Sequence, residues 1–151
     1  MKHYISVKSY ANLCDLSERT IRRYMATASI EFVTESPNRT LIAFNELNKS
    51  RTIPLTTEEC NLILQADMGN SEAQADLAVL FLTHKKNSQA VYWLNLATKQ
   101  QHADAMQLLA NCFITGLGVK KDNNLALMWL SKAASLGSLL AKKQIEGIFP
   151  H

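Results

Sequence analysis

Apolar residues recur at helical spacing along most of the chain, whereas β-branched and aromatic residues cluster between positions 30 and 44. Ser6 and Ser17 each precede a short apolar stripe, so both are predicted N-caps of short helices, the second running from residue 18 to about residue 26. Residues 30–33 and 40–44 flank the turn-forming stretch 35–39, which predicts a β-hairpin with Arg39 near its tip. A short helical turn is predicted over residues 44–47.

From residue 56 onward the pattern is helical and repeats itself. Residues 56–59 have the sequence of a capping box, which opens a leading helix over residues 57–68. The pattern Ala-x-x-x-Leu-Ala-x-x-Phe begins at Ala73 and recurs at Ala105 and, degraded, at Ala141, while Trp93 and Trp129 lie 36 positions apart between these copies. One helix pair cannot cover its own apolar face, so neighbouring pairs must stack into a short α-solenoid that ends in a trailing helix over residues 138–149.

Charge divides unevenly along the chain when the boundary is placed before Pro54. We expect two domains, residues 1–53 and residues 54–151, the second built of the leading helix, two full helix pairs and the trailing helix. The first domain carries eight Lys and Arg against five Asp and Glu, and the second carries eight of each sign. The net charge of +3 therefore falls in the first domain, which favours a phosphate- and base-reading surface there.

Two short helices with arginines on the outward face of the second are typical of a helix-turn-helix, here followed by a hairpin with a basic tip. The string Leu16-Ser17-Glu18-Arg19-Thr20-Ile21-Arg22-Arg23-Tyr24, with Tyr4-Ile5-Ser6-Val7-Lys8 before it, resembles the winged helix-turn-helix of the MerR and excisionase type over about residues 3–50. That resemblance implies that Arg19 and Thr20 read base edges. It gives phosphate, backbone or packing roles to Lys8, Ser9, Arg22, Arg23, Tyr24 and Arg39, and Ser17 completes the expected DNA-binding set. Nothing after the hairpin resembles the dimerisation helix or effector domain of MerR regulators, so dimerisation and signal sensing do not carry over.

The repeating segments resemble a second family. Residues 109–119 and 126–137 follow the signature of the Sel-like repeat, a relative of the tetratricopeptide repeat, through Leu109, Gly116, Gly118, Trp129 and Gly137 among others. The resemblance implies protein–protein interaction without chemistry of its own, with Gln74 and Gln107 on the inner surface as candidate protein-binding residues. Gln101 stands where Gly69 and Gly137 stand in the other turns, so we expect a locally altered turn there.

Catalysis, cofactors and membranes are not expected. The histidines are scattered, no nucleophile–base spacing or phosphate loop appears, and the three cysteines, Cys14, Cys60 and Cys112, are read as small core side chains. We expect no metal and no cofactor. No uncharged apolar stretch approaches the roughly 18 residues that span a bilayer. The residues from Met1 lack the apolar run of a signal peptide, so the cytoplasm is the expected compartment.

These patterns predict a mainly α protein: a small winged helix-turn-helix domain with a short β-hairpin, followed by an α-solenoid of antiparallel helix pairs. The main hypothesis is a small bacterial-type transcription regulator that binds double-stranded DNA and, through its repeats, a protein partner. The alternative is an interaction adaptor that never touches DNA. A homodimer is a further expectation, with the apolar residues of segment 139–149 either forming the dimer contact or closing the last repeat.

Overall fold

The computed structural model describes residues 3–27, 29–43 and 56–148. The chain divides into two compact units, residues 1–68 and residues 69–151. The predicted helical turn at 44–47, most of the junction near residue 54, and Phe149 lie outside the described residues.

In the part of the N-terminal unit that the structure describes, three helices combine with a small antiparallel sheet. Its elements in chain order are β1 (Tyr4–Ser6), α1 (Val7–Cys14), α2 (Glu18–Ala26), β2 (Phe32–Ser36), β3 (Arg39–Ala43) and α3 (Thr57–Asp67). The sheet order is β1-β3-β2, with Ile5 opposite Ile42 and Thr34 opposite Thr40. The predicted hairpin is therefore confirmed, and the sheet gains the strand β1, which the sequence pattern did not indicate.

Local hydrogen bonds set the ends of α1 and α2. The hydroxyl of Ser6 accepts from the backbone N–H of Ser9, and that of Ser17 accepts from the N–H of Thr20, so both predicted N-caps are confirmed. Helix α1 ends at Asp15, which adopts the left-handed conformation with φ of 54°. The two helices are thus joined by a turn of only three residues, 15–17.

A carboxylate at the end of α3 holds the start of the chain. Asp67 accepts from the backbone N–H of Ser6 at 3.2 and 3.3 Å, from the Ser6 hydroxyl at 2.6 Å and from the Ser9 hydroxyl at 2.5 Å. Charge-assisted hydrogen bonds of this kind are about twice as strong as neutral ones. They place α3 with the N-terminal unit, whereas the sequence pattern assigned this leading helix to residues 54–151.

The described residues of the second unit, 69–148, form five helices in the order that the repeats predict: α4 (Ser71–Thr83), α5 (Asn87–Lys99), α6 (Ala103–Thr115), α7 (Asn123–Ser135) and α8 (Leu139–Ile148). Helix α4 packs most extensively on α5, and α6 on α7, as two antiparallel pairs. The Asn70, His102 and Ser138 side chains cap α4, α6 and α8 by accepting from the N–H of the first alanine of each copy.

One turn of this unit requires glycine at Gly118, whereas another carries Gln101 at a positive φ. A Cβ on Gly118 would lie 2.5 Å from the backbone oxygen of Asn87, so only glycine fits where the loop meets the start of α5. Gln101 has φ of +63°, a left-handed value that Gly69 and Gly137 adopt at the corresponding turns. The expectation of an altered turn is therefore wrong for the backbone: Gln101 and His102 donate to Thr98 and Ala97 as Gly137 and Ser138 donate to Ala134 and Ala133.

The Asp67 contact generates the first prediction. Asp67→Ala removes four hydrogen bonds to the start of α1, and we expect it to destabilise the N-terminal unit by about 2 kcal/mol, the worth of a charge-assisted bond. Amide hydrogen exchange at residues 6–14 measures this directly, and Gln65→Ala, at an exposed position of the same helix, is the control. Equal exchange in both variants would show that the carboxylate does not hold α1.

The second prediction concerns the turn at Gln101. Gln101→Gly removes the cost of a side chain in the left-handed region and should stabilise the second unit by about 1 kcal/mol. The reciprocal change Gly137→Gln, at φ of +101° with nothing within 4 Å of the added Cβ, should destabilise it by at least about the same amount. Urea unfolding followed by tryptophan fluorescence measures both, because Trp93 and Trp129 lie in this unit. A loss of stability in Gln101→Gly would contradict the backbone argument.

Candidate interaction surfaces

Helix α2 turns most of its predicted DNA-binding residues to solvent. Ile21 is its only fully buried residue, while Arg19, Arg22, Arg23 and Tyr24 are exposed. The guanidinium of Arg23 lies 5.7 Å from the ring centre of Tyr24, a cation–π contact that orders both side chains. Thr20 is half-buried, and its hydroxyl lies 2.9 Å from that of the exposed Ser17.

Three of the predicted residues meet at one cavity of about 510 Å³ in the N-terminal unit. Lys8 of α1, Arg22 of α2 and Arg39 of β3 all line it, together with the hairpin tip. Glu18 and Asp67 also line this cavity, so carboxylates share it with the three cations. Arg39 forms an ion pair of 3.1 Å with Glu35, and because both side chains are exposed the pair contributes little to stability.

Ser9 does not belong to this surface. Its side chain is 4% exposed, and its hydroxyl donates to Asp67, so it lies inside the N-terminal unit. The MerR-type resemblance implied a DNA-backbone role for Ser9, and it could not reveal that Asp67 of α3 contacts the start of α1. The role of Ser9 in this structure is to hold these two helices together.

The division of charge also changes once α3 joins the N-terminal unit. Residues 1–68 contain eight Lys and Arg and eight Asp and Glu, because α3 adds Glu58, Glu59 and Asp67. Residues 69–151 contain eight Lys against five acidic residues, so this unit carries the whole excess of +3. The charge argument for nucleic acid at the N-terminus therefore depended on a boundary that the structure places 15 residues later.

The predicted protein-binding glutamines are internal. Gln74 is 3% exposed and its Oε1 accepts from Nε2 of Gln100 at 3.1 Å. Gln107 is 5% exposed and its Nε2 donates to Oε1 of Gln144 at 2.7 Å. Both amides thus bridge neighbouring helices of the unit, and neither presents a surface to a partner.

An open groove lies instead between the C-terminal ends of α5 and α7. Its volume is about 350 Å³, and its eight lining residues are Thr98, Lys99, Gln101, Met106, Trp129, Lys132, Ser135 and Leu136. Met106 is buried at the base, whereas Trp129 is half-buried and Leu136 is exposed. The ammonium of Lys132 lies 5.1 Å from the Trp129 ring centre, a cation–π contact that orients both.

The trailing helix α8 has an apolar start and a charged outer face. Ala141 is buried and Ile145 packs on the core formed by α6 and α7, so these two residues close the last repeat. Leu139 and Leu140 are 71% and 57% exposed. Further along the helix, the exposed positions include Lys142, Lys143 and Glu146.

The titratable groups within the described part of the chain bear on metal binding and on cysteine reactivity. No group of three His, Cys, Asp or Glu side chains there could hold a metal ion. Burial raises the pKa of the Cys112 thiol, and burial together with the Glu59 carboxylate raises the pKa of the Cys60 thiol. Because a raised pKa leaves less thiolate, neither cysteine is an activated nucleophile. No helix within residues 3–27, 29–43 and 56–148 has the length and apolar character needed to cross a membrane.

Comparison with known proteins identifies the helix pairs. The Sel1 repeat family matches residues 71–102 and residues 103–138, which are the pairs α4–α5 and α6–α7. The DAP3-binding cell death enhancer 1 proteins of Rattus norvegicus and Mus musculus are each 33% identical over 86 residues, or 56% of this chain. The chain covers only 17% of the length of these relatives.

Two solved structures share the repeat architecture. A Sel1 repeat protein from Oxalobacter formigenes is 30% identical, with a TM-score of 0.57 over 64% of this chain and 30% of its own. A protective antigen of uropathogenic Escherichia coli that displays an SLR fold is 25% identical, with a TM-score of 0.53 over 60% of this chain and 21% of its own. These matches give no support to the MerR-type resemblance of residues 3–50. The family match and the observed helix pairs both show that residues 71–138 are two consecutive Sel1 repeats.

Proposed function

We propose that this protein is an interaction adaptor whose Sel1 repeats bind another protein. The observation that carries the proposal is the open groove at Trp129, a partly exposed indole with two lysines beside it on a rigid pair of repeats. Aromatic side chains that are half-buried and ordered are typical anchors of protein interfaces. The name of the DAP3-binding relatives supports a protein-binding role for repeats of this kind.

The packing of the repeats suits such a role. Helix α6 packs on α5 on one side and on α7 on the other, so the elements that line the groove hold one another in place. A surface fixed before binding loses little conformational freedom when a partner docks, and more of the contact energy then appears as affinity. A cytoplasmic setting and a homodimer through the apolar residues of segment 139–149 stay predictions.

The third prediction tests the adaptor role. A random peptide library is selected on the full-length chain. The enriched peptides should bind with one-to-one stoichiometry in calorimetry. Their dissociation constants should be on the order of micromolar, as expected for a small contact area. A saturating amount of a random DNA duplex should leave this binding unchanged, because the repeats carry it. If the chain enriches no peptide beyond a parallel selection on an unrelated helical protein, the adaptor proposal fails.

DNA binding by the N-terminal unit is the second candidate function. The observation that favours it is the exposed arginine face of α2, continued by Lys8 and Arg39 around one cavity. Two short helices beside a small sheet would allow α2 to enter a major groove while the hairpin tip reaches the phosphates. The carboxylates of Glu18 and Glu35, each close to these arginines, act against it.

The fourth prediction tests this second candidate by fluorescence anisotropy with a labelled duplex over a salt series. Binding should weaken by about 0.9 log units per log unit of salt for each phosphate contacted. Arg22→Ala should reduce affinity for every sequence, whereas Arg19→Ala should also reduce discrimination among sequences. Lys85→Ala, an exposed lysine of the repeat unit, is the control. Absence of wild-type binding at low salt would exclude the DNA role and leave the adaptor proposal untouched.

A further inference from the structure

Trp129 and its counterpart in the first repeat differ in burial. Trp93 holds the same position in the first repeat, 36 residues earlier, and is 0% exposed, whereas Trp129 is half-buried. The position of Lys132 is held by Leu96 in the first repeat, and that of Leu136 by Gln100. A partly exposed indole at this position is therefore not required by the repeat pattern, since the first repeat buries it.

The groove is positively charged. Lys99 enters from the end of α5 and Lys132 from α7, and none of the eight lining residues is acidic. Within residues 3–27, 29–43 and 56–148, the structure shows no ion pair between either lysine and a carboxylate. The surrounding unit also carries the net charge of +3. A negatively charged partner would be attracted by the positive charge of the whole unit and then bound at these two ammonium groups.

The groove wall includes a side chain that the backbone disfavours. Gln101 lines the groove and lies in the left-handed region, where Gly69 and Gly137 stand at the other turns. A glutamine amide can donate to a carboxylate or to a backbone carbonyl, which glycine cannot do through a side chain. A strained residue that faces a cavity is a reason to ask what that cavity binds.

We infer that this groove binds an extended, acidic segment of a partner protein in which apolar residues alternate with Asp or Glu. The apolar side chain packs on Met106 and Trp129, with Leu136 at the edge. Carboxylates on either side lie near Lys99 and Lys132, and the Gln101 amide donates to the segment. A groove of about 350 Å³ has room for such an apolar anchor. This inference rests on the proposed adaptor function and names the site and the chemistry of its partner.

The fifth prediction uses a fluorescein-labelled octapeptide of alternating glutamate and leucine on the full-length chain. The double variant Lys99→Glu/Lys132→Glu should bind at least about tenfold more weakly than wild type, which corresponds to about 1.4 kcal/mol. Lys142→Glu/Lys143→Glu changes the net charge equally at exposed positions of α8 and should change affinity by less than about twofold. The same peptide with lysine in place of glutamate should not bind.

Two further readouts locate the peptide. Bound peptide should protect Trp129 from acrylamide quenching, since Trp93 is already buried and contributes little to the quenched signal. Gln101→Gly should weaken binding at least about threefold although the variant is expected to be the more stable protein, so the loss cannot come from unfolding. If Gln101→Gly binds the peptide as tightly as wild type, the Gln101 side chain is not part of the site.

The outcomes separate this inference from the adaptor function. If library-selected peptides bind both double variants as tightly as they bind wild type, the groove is not the site and the adaptor function stands. The same conclusion follows if the glutamate–leucine peptide does not bind wild type. Equal weakening in both double variants would mean that net charge alone attracts the peptide, which also overturns the groove proposal. If no library peptide binds, the adaptor function itself fails.

Discussion

The repeat unit depends on alanine at the points where its helices approach one another. Ala78, Ala97, Ala110 and Ala133 are all fully buried, and larger side chains at these points would push the helices apart. Bulky residues then fill the spaces that remain, as Trp93 does in the first repeat. Because small side chains set the helix spacing, the ends of α5 and α7 lie at a fixed distance over α6, and the groove between them keeps its shape.

Features that follow from local rules could be predicted from the sequence. The caps at Ser6, Ser17 and Thr56 each join a side chain to a backbone group three residues away, so a short pattern contains the whole interaction. The helix pairs followed from repetition for the same reason. Strand β1 escaped prediction because three residues are too few to show alternation, and it forms only where β3 offers backbone partners.

Long-range polar contacts determine features of the structure that the sequence pattern could not predict. Ser6 and Asp67 are 61 positions apart, and no periodicity links them, yet their hydrogen bonds assign α3 to the first unit. That assignment moves three carboxylates across the boundary and reverses which unit is positively charged. Gln74 and Gln107 were likewise expected at a surface, and only the positions of Gln100 and Gln144 show them to be internal bridges.

The two repeats can be compared position by position, and two of their differences lie at the groove. Lys132 replaces an apolar residue of the first repeat, and Gln101 occupies a backbone conformation that favours glycine. The second substitution works against stability, since a side chain in the left-handed region costs about 1 kcal/mol. The sequence showed that Gln101 departs from the repeat, but not that Gln101, Lys132 and Trp129 face one cavity. Folding of the repeats brings Trp129, Lys132 and Gln101 to one cavity, so an indole, an ammonium group and an amide are available together to a partner.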